Sequence, residues 1–291
     1  MENFRKGLTS GNKQHKIIGH DRVALVTGGS SGIGLALARQ LAQAGCHVWL
    51  LARNDDMLES ALAEVMSLRL EDSQRCRVIS ADVSDPASAA VAVEHVVEEV
   101  GVPHLLINSA GVALPGYFHE LDLESFHWMM DINYFGTVHM VKAILPGMMA
   151  RGSGHIVNIS SVAGFLGVYG YSAYGASKFA VSGFSDVLRA EVKPYGIRVS
   201  IVFPSDVDTP QLAYESQFRP AVTQALISGG PVMPPEVVAR IILRGVSRGQ
   251  HVILPGATAK FLYWLTQAMG NITYPLMDWM IARARRRVRE L

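Results

Sequence analysis

Thr27-Gly28-Gly29-Ser30-Ser31-Gly32-Ile33-Gly34 closes a short apolar run, Val23–Thr27, and opens a helix-period segment, Leu35–Ala44. Glycines there let the backbone approach a pyrophosphate, and the helix N-terminus offers amide donors and the positive end of a dipole. A Gly-rich turn alone signals little. With a strand before it, a helix after it and a further strand beyond, it reads as a dinucleotide cradle. Gly28, Ser30, Ser31, Gly32, Ile33 and Gly34 are the expected cofactor contacts.

Working outward, the same alternation continues. Apolar, β-branched-rich runs occur at Val23–Thr27, His47–Ala52, Arg77–Ala81, His104–Asn108, His155–Ser160, Arg198–Phe203 and His251–Leu254. Helix-period segments separate them. The expected fold is α/β: a Rossmann-type, doubly wound, parallel seven-stranded sheet with helices on both faces. Gly45 stops the first helix and Asp85-Pro86 opens the third. Asp122 caps a long helix from Leu123 toward Ala150, with a break expected near Asp131–Asn133. Pro204–Pro235 carries six prolines and reads as a substrate lid with short helical pieces. The expected domains are a loose arm at 1–21, a catalytic unit at 22–256 and an apolar helical segment with a basic tail at 257–291.

The second strand ends in Leu51-Ala52-Arg53-Asn54. An acidic residue there would bind a ribose 2′-hydroxyl; a guanidinium suits a 2′-phosphate. Arg53, helped by the Ser30 hydroxyl, therefore predicts NADPH/NADP, with Asp55 and Asp56 moderating its field. Asp82-Val83 ends the third strand, where a carboxylate can accept from the adenine amino group. Asn108-Ser109-Ala110-Gly111 ends the fourth. Asn108 reads equally as a cofactor contact and as a tie between strands. Thr209, in Pro204-Ser205-Asp206-Val207-Asp208-Thr209-Pro210, can hold the nicotinamide carboxamide.

Tyr174-Gly-Ala-Ser-Lys178 lies in a helix, so the phenol and the ammonium share one face. A phenol with a pKa near 10 is a poor proton shuttle at neutral pH. A fixed ammonium one turn away, and a positive nicotinamide ring, favour the phenolate. That tuning makes Tyr174 a general acid toward a ketone or a base toward an alcohol. Lys178 can also bond the nicotinamide ribose. Ser161, at the end of the fifth strand, can donate to the substrate oxygen as charge develops. At the expected helix break, the Asn133 amide and a freed carbonyl could hold a water that relays protons to Lys178, or Asn133 simply breaks the helix.

The composition narrows the classes. Lys and Arg total 26 against 25 Asp and Glu, which gives no pull toward nucleic acid. Cys46 and Cys76 lack metal-site spacing and read as buried apolar residues of a reducing compartment; no metal is expected. Met1–Asp21 has no apolar core of a secretory signal, so a cytoplasmic location, not secretion, is expected.

Together these residues resemble the short-chain dehydrogenase/reductase family over about Arg22–Gly256. The resemblance rests on Gly28–Gly34, Asp82, Asn108–Gly111, Asn133, Ser161, Tyr174 and Lys178. Thr27–Gly34, Leu51–Asn54, Ala173–Ala180, Glu191–Tyr195 and Pro204–Pro210 look more narrowly like the 3-ketosphinganine reductases of that family. This implies NADPH-dependent reduction of the keto group of a long-chain sphingoid base, in sphingolipid metabolism. Ser205, where the family usually has Gly, is a departure that branch shares. Met57 stands where the branch often has a basic residue, which leaves the phosphate grip mainly to Arg53. The family also commonly forms homo-oligomers through the helix carrying Tyr174.

Phe261–Ile281 contains no Lys or Arg and precedes Arg283, Arg285, Arg286, Arg287 and Arg289. Its length could span a bilayer. Gln267, Asn271, Pro275 and Asp278 argue instead for an interfacial or re-entrant hairpin on the cytoplasmic face, with the basic tail on anionic lipid. The competing reading is an amphipathic cover for the substrate pocket or an oligomer interface. Competing functions are an NADP-dependent enzyme for another hydrophobic ketone or alcohol, such as a steroid or acyl thioester, and a catalytically silent scaffold.

Overall fold

The computed structural model describes residues 17–227 and 230–289. Its centre is a parallel sheet of β1 (Val23–Thr27), β2 (His47–Ala52), β3 (Cys76–Ser80), β4 (Leu105–Asn108), β5 (Gly154–Ile159), β6 (Ile197–Val202) and β7 (Val252–Ile253). The seven strands lie in the order β3-β2-β1-β4-β5-β6-β7. Order reverses at β1, which places the switch point between β1 and β4, and a ligand crevice forms at such a point.

Alternate residues of each strand feed opposite layers. Ala24, Val26, Val48 and Leu50 pack with Leu37 and Leu41 of α1 (Gly32–Gln43), Leu58 and Val65 of α2 (Asp55–Ser67), and Val238 and Ile242 of α9 (Pro235–Ser247). Leu25, Trp49 and Leu51 pack on the other face. Their partners are Val93 and Val96 of α3 (Pro86–Val100), Met140 and Ile144 of α5 (Gly136–Arg151), and Leu188 and Val192 of α6 (Ser172–Val192). Burial on both faces explains why these strands read as continuous apolar runs. Cys46 and Cys76 are buried in the first layer and are not joined in a disulfide.

Asp85 accepts from Ala87 N–H and caps α3, with Pro86 at its first position. The expected break after α4 (Leu123–Met130) is not a break. Asp131–Phe135 is a single π-helical turn, and the chain stays helical into α5. The wider turn accommodates Asn133, whose side chain is drawn off toward the loop after β4.

Most of the expected N-terminal arm lies outside the described residues. Its described end departs from a loose arm: Ile18 is buried in the core, and Gly19 N–H donates to Cys46 Sγ at 3.3 Å.

The lid holds α7 (Pro210–Ser216) and α8 (Ala221–Ile227). Its base is fastened where Met233 N–H donates to Asp206 O and Asp208 N–H to Met233 O. Beyond β7, α10 (Gly256–Met269) and α11 (Thr273–Arg289) are joined by a short turn at Gly270–Ile272, and α11 packs against α8. Tyr263 of α10 stacks on Phe203, with ring centroids 5.9 Å apart, and meets Phe165 edge-on. No described helix is long and apolar enough to cross a membrane.

Candidate active site

The carboxyl ends of β1, β4 and β5 stand side by side, with Thr27 opposite Asn108 and Asn108 opposite Asn158. Thr27 Oγ1 accepts from Ser109 and Ala110 N–H, 3.1 Å each, and holds the β4 loop beside the Gly-rich turn. That turn is built for close approach. A Cβ on Gly34 would lie 2.2 Å from Gly28 O, and one on Gly28 2.8 Å from Ala110 N. Gly28 also has φ +64. Ser31 caps α1 with no side-chain hydrogen bond, and no acidic residue occupies the first turn. The amides at this helix end thus keep their donors for an anion, and the cradle fits a dinucleotide pyrophosphate.

A cavity of about 720 Å³ opens above the turn. Gly28, Ser31, Gly32, Ile33 and Gly34 form part of its floor, with Ser161, Tyr174, Lys178 and Thr209. Its far wall is apolar: Leu226 and Ile227 from α8, Leu262 and Leu265 from α10, Met277 and Met280 from α11.

Tyr174, in the first turn of α6, is 8% exposed, and its phenol lies beside the Ser161 hydroxyl. Ser161 Oγ also accepts from Ala163 N–H at 3.2 Å, which fixes its direction. Lys178 Nζ donates to Ile159 O at 3.0 Å and stands 5.7 Å from the Tyr174 ring centroid. Ser160, just inside the site, donates to Lys178 O and clips α6 to the end of β5. The sequence places Tyr174, Lys178 and Ser161 together, and the structure does too.

Their electrostatics differ from the expected balance. Burial, reinforced by the carboxylates of Glu215 and Asp206, pushes the Tyr174 phenol well above its ordinary value; only the Ser161 hydroxyl pulls it down. Burial also depresses Lys178, to about 8. In the protein alone, desolvation outweighs the neighbouring ammonium.

The Asn133 side chain is committed within the protein. Its Oδ1 accepts from Val112 N–H, and its Nδ2 donates to Val112 O and Ser177 Oγ. Its own carbonyl accepts from Thr137 Oγ1. The amide is spent on pinning the β4 loop to α6, so it has no donor left for a water. Asn108 resolves as a strand tie: its Nδ2 donates to Asn158 Oδ1 at 2.8 Å, and Asn158 continues to Ser185. Val83 turns its side chain into the core against Gly136, leaving only backbone for a ligand. Thr209 Oγ1 caps α7 by accepting from Leu212 N–H.

Ser30, Arg53 and Asp82 lie outside the cavity walls. Arg53 Nη1 is 3.7 Å from Asp82 Oδ2, so Asp82, rather than Asp55 or Asp56, moderates the guanidinium. Burial raises the Asp82 carboxyl, but hydrogen bonds from Ser84 and the charge of Arg53 outweigh it and hold it low.

Sequence reasoning missed a polar group on the lid side. Arg219 donates to Glu215 Oε1 at 2.6 Å, to Tyr171 Oη at 2.8 Å and to Asp206 at 3.4 Å. Tyr171 in turn donates to Glu215 Oε1, and its ring meets that of Tyr174 edge-on at 5.8 Å. Burial pushes the Glu215 carboxyl up against the pull of Arg219. In the sequence this group shows only as Glu and Arg four apart, the pattern of a solvated helix face.

A switch-point cradle beside a convergent Tyr-Lys-Ser group defines an α/β oxidoreductase of the nicotinamide-dependent kind. The family model of short chain dehydrogenases matches residues 22–219, and the chain belongs to that family. A 3-ketodihydrosphingosine reductase of Bos taurus is 38% identical over 250 residues, covering 86% of this chain and 75% of the relative. A dehydrogenase/reductase SDR family member 7B of Xenopus laevis is 31% identical, covering 92% and 83%. The crystal structure of NAD+-bound xylitol dehydrogenase superposes with a TM-score of 0.71 at 27% identity, covering 81% of this chain and 97% of that one.

Proposed function

We propose that the protein reduces the 3-keto group of 3-ketosphinganine to sphinganine with NADPH. The observation that carries this reading is the pairing of the Tyr174 phenol and Ser161 hydroxyl with an apolar wall from α8, α10 and α11, whose side chains suit an alkyl chain. The resemblance to the Bos taurus enzyme supports the same substrate.

Gly28–Gly34 and the α1 amides would hold the dinucleotide phosphates, with Thr209 at the carboxamide end. Arg53 and Ser30 would take the 2′-phosphate. The bound reduced nicotinamide supplies the hydride. Ser161 donates a hydrogen bond to the carbonyl oxygen, and Tyr174 gives that oxygen its proton. A phenol held high by burial enters the reaction protonated, as an acid must. Lys178, fixed by Ile159 O, places a cation beside the phenolate that remains, and Asn133 holds the β4 loop against α6.

The exposed side chains of α10 and α11 support contact with a membrane surface. Phe261, Trp264, Tyr274 and Trp279 are each more than half exposed there, ahead of exposed Arg285, Arg286 and Arg287. A ketone dissolved in the bilayer could then reach the cavity past α10 and α11.

The test is NADPH oxidation with 3-ketosphinganine. Turnover is expected, and Tyr174→Phe lowers kcat by about a hundredfold or more while cofactor binding persists. Turnover of another hydrophobic ketone but not of this one would select the alternative substrate class. Undiminished turnover by Tyr174→Phe would remove the mechanism.

A further inference from the structure

Among the described wall residues of the cavity, the charged side chains are Lys178, Asp206 and Glu215. Lys178 is committed to Ile159 O. The other two are carboxylates that share one guanidinium, Arg219, so the group carries one negative charge in excess. Glu215 is nearly enclosed, with a side chain only 9% exposed. Both of its hydrogen bonds arrive at Oε1, and no described residue donates to Oε2. An enclosed carboxylate with a free oxygen is an unusual choice for a wall that faces an alkyl chain. It also stands near the reacting group: Tyr171 bridges Glu215 to the Tyr174 ring, and the Tyr174 phenol feels the charges of Glu215 and Asp206.

We infer that Glu215, backed by Asp206, is the subsite for a protonated primary amine on the carbon next to the carbonyl that the enzyme reduces. This inference rests on the substrate proposed above and adds the feature by which the site selects it. The geometry offers an ammonium a charge-assisted bond to Oε2 and cancels the excess negative charge. Arg219 and Tyr171 hold the carboxylate in place, so little orientation is lost on binding. A neutral ketone of equal chain length would leave Oε2 unpaired in an enclosed space, a penalty that rejects it. The two ends of the substrate are thus read separately: the chain by α8, α10 and α11, the head by Glu215 and Asp206.

The experiment compares a long-chain 2-amino-3-ketone with its N-acetyl derivative, using the full chain and NADPH. Wild type is expected to favour the free amine in kcat/KM by roughly tenfold or more, and Glu215→Gln to collapse that ratio toward one. Asp206→Asn should shrink it partly. A wild-type ratio near one overturns the inference. So does a Glu215→Gln variant that loses both substrates equally, which would make the carboxylate a lid fastener. Should that variant fail to fold, the wild-type ratio and Asp206→Asn still decide. If wild type turns over neither ketone, the substrate proposal fails. The amine subsite is then read by thermal stabilisation with a long-chain primary amine against its N-acetyl derivative, and equal stabilisation overturns it.

Discussion

At the scale of single residues, two charged side chains carry distinct consequences. Arg53 is exposed and shares its charge with Asp82, so its value lies in what it can hold rather than in stability. Arg53→Asp is expected to lower kcat/KM with NADPH by roughly tenfold or more and to favour NADH relatively; an unchanged preference would exclude it as the phosphate ligand. Lys178 is buried, and its ordinary value of 10.5 falls to about 8. Between those values the unfolded chain binds a proton that the folded chain has released, so this group adds stability as pH rises from about 8 to 10.5. The melting temperature of wild type minus that of Lys178→Met should therefore climb by a few degrees across that window and stay flat below it. A difference independent of pH would mean that the ammonium is not desolvated. Tyr174, Lys178 and Ser161 were legible in the sequence because helix spacing and a strand end fix their positions. The true partners of Asn133 were not, because they lie on a loop and a helix distant along the chain, and only the folded arrangement brings them within hydrogen-bond reach.

At the scale of elements, strands and crossovers were readable to within a residue or two, since a sheet buried on both faces leaves an unbroken apolar signature. The π turn at Asp131–Phe135 was readable only as an irregularity: the sequence shows an Asn in a helix but not that the helix survives by widening. The Gly-rich turn is where local geometry is least forgiving. Gly34→Ala would drive a methyl onto Gly28 O, and the backbone must shift to admit it. The expected cost is about 1–3 kcal/mol of stability, with a larger loss of dinucleotide affinity. Chemical denaturation and cofactor titration measure the two separately. A variant as stable as wild type that binds NADPH normally would mean that the turn is looser than these contacts imply.

For the whole molecule, the pair α10 and α11 has two sides with different duties. Its inner face closes the cavity and is anchored by Tyr263 on Phe203 and by buried Ala259. Its outer face presents the exposed aromatic side chains. Replacing Phe261, Trp264 and Trp279 together by Ser should abolish flotation with anionic vesicles while turnover of a short, water-soluble ketone persists. Retained flotation would defeat the interfacial assignment. The sequence showed this segment as apolar and aromatic but not which side chains turn inward, because two short helices joined by a kink carry no single periodicity. The division between floor and roof has an evolutionary corollary. The groups that transfer the proton hang from β5 and α6, whereas the surfaces that measure the substrate come after residue 204. A lineage could exchange its downstream third for another and acquire new molecules to reduce, with the chemistry upstream left undisturbed.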